Sequence, residues 1–120
     1  MNSLRGLVSF SVTDPVTEKK LNIDSLINLN ALRIWTEVAG AADLDEALEA
    51  YNRNPLAQVP RLLFAGYQNL KDAKDEAGMS FTRFAALLGT VQDLEGITSQ
   101  IADAMSLDEA NFPTAKAAET

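Results

Sequence analysis

Apolar and polar residues alternate near the amino terminus. Val8, Phe10 and Val12 fall on one parity, and Ser9, Ser11 and Thr13 fall on the other. That is the period of a strand with one buried face. Asp14-Pro15 interrupts the pattern, and Leu21 and Ile23 resume it after the polar stretch Val16 to Lys20. The two runs predict a hairpin over residues 4–23 with a long loop and a short second strand. No other stretch of the chain has a period of two.

From Asn30 onward the period is helical. Leu32, Trp35, Val38 and Ala39 form one stripe, Asn30 stands in the N-cap position, and Gly40 stands where a left-handed C-terminal cap belongs. Asp43, with Glu46 three residues on, reads as a capping box that opens a short helix carrying Leu44, Ala47, Leu48 and Tyr51 and closing near Asn52. Asn54-Pro55 starts the longest helix. Leu56, Val59, Leu63, Tyr67, Leu70, Ala73 and Ala77 recur along it as far as Gly78, with Pro60 predicting a kink or a start nearer Val59. Leu62 to Ala65 cover more than one face, so other elements should wrap the front half, while the Lys71 to Glu76 half should be solvated. Ser80 caps a short helix bearing Phe81, Phe84, Ala85 and Leu88, which Gly89 stops. Leu94, Ile97, Ile101 and Met105 make the last stripe, beginning after Thr90 or Asp93.

The predicted fold is therefore mainly α, with about five helices, a small amino-terminal hairpin and a carboxy-terminal tail. Residues 1–107 are expected to form a single domain. Residues 108–120 hold one aromatic, one Pro and too little other apolar surface to offset their ordering entropy, so a flexible tail is expected there.

Composition narrows the chemistry. The chain has no Cys and no His. Disulfides and thiolate nucleophiles are excluded, together with the usual neutral-pH base, the commonest zinc ligand and every Ser-His pairing. A net charge of -7 repels phosphate backbones and anionic leaflets, so neither nucleic acid nor a membrane surface is an expected partner. Residues near the amino terminus do not read as a secretory leader, and no apolar run approaches the ~20 residues of a membrane span. A soluble cytoplasmic protein is expected.

Three patterns invite a chemical reading. Asp24-Ser25-Leu26 matches the tripeptide on which small acidic carrier proteins hold phosphopantetheine at a helix start. Here a hairpin precedes it and a nearly uncharged segment follows, so Asp24 or Ser25 capping a turn after the strand is the favoured reading. The acidic groups Asp43, Asp45, Glu46, Glu49 and Asp72, Asp75, Glu76 lack the spacing of a calcium loop and read as helix surface and caps. The glycines form no phosphate loop. No catalytic group, metal or cofactor is assigned, and an enzyme is the least favoured class.

The aromatics carry more interest. Phe64, Tyr67, Phe81 and Phe84 lie on stretches whose apolar residues exceed one core-facing stripe. Five short helices and one hairpin cannot cover every stripe they display, so an apolar groove or a self-association face is expected. These four residues are the predicted partner-binding anchors, the alternative being that all four are internal.

The order of elements resembles the tail assembly chaperones of long-tailed bacteriophages and prophages. INLNALRIWTEVAG is similar to that family's opening helix, NPLAQVPRLLFAGYQNLKD to its central apolar helix, MSFTRFAALLG to its Ser/Thr-capped short helix, and DLEGITSQIADAMSLDE to its closing helix. The resemblance is one of pattern over about Leu21 to Leu107. It implies a non-enzymatic, oligomeric protein of the host cytoplasm, absent from the mature virion. Such a protein binds the tape-measure protein, keeps its apolar helices from aggregating and helps deliver tail-tube subunits. In many members a ribosomal frameshift adds a second domain, and residues 108–120 are where such an extension would attach. Another phage morphogenesis or adaptor module is the alternative, and an acyl-carrier-like protein using Ser25 is a more distant one.

Overall fold

The structure, a computed structural model, describes residues 6–111, and the side-chain surroundings of residues 6–104. Strands β1 (Leu7–Thr13) and β2 (Lys20–Leu26) pair antiparallel, with Val8 opposite Ser25, Phe10 opposite Ile23 and Val12 opposite Leu21. Alternation places Val8, Phe10, Val12, Ile23 and Ser25 on a buried face. Apart from Leu7 and Leu26 at one end the other face is polar, and cross-strand pairs lace it: Ser9 Oγ donates to Asp24 Oδ1 and Ser11 Oγ to Asn22 Oδ1, both at 2.8 Å. The second strand runs three residues beyond the expected end at Ile23, and the hairpin spans Leu7 to Leu26 rather than residues 4–23. Ser25 thus continues the strand instead of capping a turn, because Leu63 on a distant helix supplies its hydroxyl with a buried acceptor. Residues 4 and 5 lie outside the described residues.

The hairpin loop is organised by Asp14. Its Oδ1 accepts from the backbone N–H of Val16 (2.8 Å) and of Thr17 (3.2 Å), its N–H donates to Lys19 O, and Arg83 Nη2 reaches its Oδ2 at 3.1 Å. The Val16 N–H, then the Arg83 guanidinium and the Thr17 N–H, hold the buried carboxyl below its ordinary value.

Five helices follow: α1 (Leu29–Ala39), α2 (Leu44–Arg53), α3 (Pro55–Ala73), α4 (Phe81–Leu88) and α5 (Leu94–Asn111). Caps set their starts. Asp43, Asn54 and Ser80 accept from backbone N–H groups of the first turns of α2, α3 and α4, as their residue types predict. Glu46 reaches back to the N–H of Ala42 rather than to that of Asp43. Asp93, not Thr90, opens α5 by accepting from Gly96 N–H. Thr90 instead accepts from Thr13 N–H and donates to Leu87 O. α1 is capped by Asn28, two residues earlier than expected, because Asn30 is occupied elsewhere: its amide donates to Asn69 and its oxygen accepts from Arg33. Gly40 closes α1 at φ 71°, a left-handed position that favours glycine.

α3 starts at Pro55 and continues through Pro60, so the kink-or-restart expectation resolves as one unbroken helix. It ends at Ala73, short of the expected Ala77. Asp75 turns left-handed (φ 58°) and Glu76 N–H bonds back to Lys71 O, a Schellman closure. Residues 72–78 are exposed, so no burial draws the helix further. α5 extends to Asn111, four residues into the expected tail. Residues 112–120 lie outside the described residues.

α3 is the axle of the core. It packs against α1, α2, α4 and β2, with Leu62, Leu63 and Ala65 wholly buried. On one side Trp35 stacks edge-on with Tyr51 (6.1 Å between centroids) and donates its indole N–H to buried Gln58. On the other, Gly66 lies against β2 so closely that any β-carbon there would collide with Ser25 Oγ and crowd the Leu26 backbone. α5 closes the remaining side with Ile97, Ile101 and Ala104.

Gly66→Ala should therefore cost about 1–3 kcal/mol of stability in a urea titration, since helix and strand must separate. A pH prediction attaches to Asp14. Its folded pKa is depressed, so its contribution is present above the ordinary carboxylate value of 3.8 and lost as pH falls through the lower folded value. The stability gap between wild type and Asp14→Ala, measured by urea titration at several pH values, should be constant near neutrality and narrow below about pH 4.

Candidate partner-binding surface

Most apolar side chains in the short helices are spent on the core, but one stretch is left over. The amino-terminal turns of α3, the end of α4 and the start of α5 diverge around a groove of about 580 Å³. Pro55, Leu56, Val59 and Pro60 form one wall, Ala85 and Leu88 a second, and Val91 and Leu94 a third. Asn54, Gly89 and Thr98 complete the lining, and none of these residues is charged. Leu56 is 73% exposed and Leu94 42%, high values for large aliphatic side chains.

The local sequence explains the gap. Asn54 caps the helix and Pro55 occupies its first position, so the chain enters α3 with no charged residue before Arg61. Pro60 has no N–H to give to the Leu56 carbonyl four residues back, so this turn lacks one rung of the helical ladder. Leu56 shares the heptad spacing of Leu63 and was expected in the core stripe. It projects into the groove, whereas Gln58 and Val59 on the adjoining face of the same turns are buried, Gln58 against Trp35 of α1.

The predicted anchors sit elsewhere and are brought together. Phe64 packs against Phe81 and Phe84 at 5.4 and 5.5 Å between centroids, and Tyr67 against Phe84 at 5.3 Å. Phe10 of β1 meets the edge of the same Phe84 ring. Phe84 is wholly buried and Tyr67 is 7% exposed, with its hydroxyl accepting from Met79 N–H. The anchor assignment is therefore corrected for these two: they are core residues that join α3, α4 and β1. Phe64 and Phe81 are half-buried at the margin of that cluster. On α4 the aromatic residues turn toward β1 and α3 while Ala85 and Leu88 line the groove, so one helix serves both.

Ser25 serves neither as the favoured turn cap nor as the more distant carrier serine. It is wholly buried within β2 and its hydroxyl donates to Leu63 O at 2.9 Å, which leaves no accessible hydroxyl for a carrier prosthetic group. Among the described residues no three acidic side chains converge as a metal site would require, and no helix is long and apolar enough to cross a membrane. Comparison of the chain with models of known protein families, with curated proteins and with solved structures finds no match.

Two substitutions separate core from groove. Phe84→Ala should cost about 3–5 kcal/mol and bring the domain close to unfolding. Leu56→Asp should change stability by no more than about 0.5 kcal/mol. Urea denaturation of both variants reads the difference directly.

Proposed function

We propose that this protein is a non-enzymatic tail assembly chaperone of a long-tailed phage or prophage. In this reading it binds the tape-measure protein in the host cytoplasm and assists assembly of the tail tube around it. The observation that supports the reading is the uncharged groove between α3, α4 and α5, carried on a protein with a net charge of -7. An apolar helix of the partner laid into that groove would cover Leu56 and Leu94, while the acidic surface keeps the complex soluble. The groove takes the anchoring role first given to Tyr67 and Phe84, with Phe64 and Phe81 at the other end of α4 as secondary contacts. The pattern resemblance along the helices supplies the identity of the partner.

The test is co-expression with the long helical tape-measure protein of the same gene cluster. Wild type should keep that partner in the soluble fraction, and the folded Leu56→Asp variant should lose it. Binding should change little between low and moderate salt, because apolar burial rather than ion pairing holds the complex. A partner that stays soluble with Leu56→Asp would exclude the groove, and a complex that falls apart in moderate salt would exclude the apolar mechanism.

A further inference from the structure

The two edges of the hairpin are treated unequally. The closing bonds Ile27 N–H to Gly6 O (2.9 Å) and Asp14 N–H to Lys19 O (2.8 Å) set the phase of the ladder. Pairs Val8/Ser25, Phe10/Ile23 and Val12/Leu21 exchange backbone bonds, so the N–H and C=O groups of Leu7, Ser9, Ser11 and Thr13 on β1 and of Lys20, Asn22, Asp24 and Leu26 on β2 point away from the partner strand. On β1 Ser9 and the N–H of Thr13 are guarded, and only Ser11 between them is left open. The side-chain amide of Gln100 on α5 takes both the N–H (3.0 Å) and the C=O (3.2 Å) of Ser9, and Thr90 takes the N–H of Thr13. On β2 only Leu26 O is taken, by Asn69. The N–H and C=O groups of Lys20, Asn22 and Asp24 have no partner among the described residues. Nor does β2 contain the bulge or Pro with which open edges are usually blunted.

We propose that the free edge of β2 pairs antiparallel with the same edge of a second copy, about a two-fold axis at Asn22, to form a four-stranded sheet. The charges select this register. Lys20 faces Asp24 of the other copy, Asp24 faces its Lys20, and Asn22 faces Asn22, each pair exchanging two backbone bonds. A shift by two residues in either direction leaves both Lys20 and Asp24 without an opposite charge, and an in-register parallel pairing sets like charges side by side. Asp24 can serve both neighbours, since Ser9 occupies only its Oδ1. On the inner face the half-buried Leu21 meets the copy's Ile23 and loses its remaining exposure. A two-fold axis makes this isologous interface self-limiting, so the edge closes a dimer and does not propagate a fibre. The inference is independent of the tail-assembly reading, and no residue of the edge lines the groove.

The experiment is sedimentation equilibrium over a wide concentration range, with circular dichroism melts to confirm folding. Wild type should show a monomer–dimer equilibrium. Lys20→Glu and Asp24→Lys each place like charges in both pairs and should weaken dimerisation about tenfold. The double variant Lys20→Glu/Asp24→Lys restores opposite charges and should recover the wild-type constant. Asn22→Pro removes the central N–H from an edge that faces solvent, so the monomer should fold and the dimer should be lost. Leu56→Asp should leave the dimer intact. A wild type that stays monomeric at high concentration overturns the proposal. So does an oligomer that ignores Asn22→Pro and the charge reversals, or a double variant as weak as the single ones.

Discussion

The close approach of α3 to β2 is the constraint on which the rest of this structure depends. A helix and a strand normally stand apart by the width of their side chains, but Gly66 removes that spacer and Ser25 fills the gap with a hydroxyl bonded to Leu63 O. The Ser25 hydroxyl has no access to water, so it needs that carbonyl; leaving a buried hydroxyl unpaired costs about 1–3 kcal/mol. One turn further, Asn69 donates to Leu26 O and to Asn28 Oδ1 and accepts from Asn30 Nδ2. A single amide thereby ties α3 to the end of β2 and to the cap of α1. With those bonds made, the angle between helix and sheet is set. Leu62, Leu63 and Tyr67 then have fixed positions from which to meet the other helices.

The helices were legible to the extent that their signals are local. Caps at Asp43, Asn54 and Ser80 and the left-handed Gly40 each act within a turn, so residue type and spacing suffice to find them. What escaped depends on partners far along the chain. Asn28 rather than Asn30 caps α1 because Asn69, about forty residues away, captures Asn30. Asp24-Ser25-Leu26 belongs to a strand because a distant carbonyl rewards the buried hydroxyl, and no pattern near Ser25 announces that. The length of α3 followed hydrophobic spacing only to Ala73, since Ala77 has no neighbour to bury it and the backbone closed earlier.

The candidate surface was less legible than the fold. Large aromatics are natural candidates for anchors, yet size also makes them the best core fillers, and Phe84 and Tyr67 are buried where α3, α4 and β1 meet. The groove is marked instead by residues that look unremarkable in sequence. Its signal is an uncharged, proline-framed segment from Asn54 to Pro60, in which helical spacing alone places Leu56 with the core. Periodicity gives the direction of a side chain around a helix. It does not say whether another element stands there to receive it.

α3 therefore has two ends with different physical jobs. Toward its carboxy-terminal half, the close approach at Gly66 and the hydrogen bonds of Asn69 clamp it to β2 and to the cap of α1. Toward its amino terminus, prolines shape the backbone and Leu56 stands outside the core. A clamped helix can present an apolar end without losing the fold, because substitution or coverage at Leu56 acts far from the bonds that set the helix angle. The same separation applies to the sheet. β1 is held by α5 through Gln100, so β2 can leave its edge open while the inner face remains packed. Leu56 and Leu94 stand exposed beside Val59 and Leu88, which belong to the core, so the apolar surface of the groove is continuous with the packing that supports it.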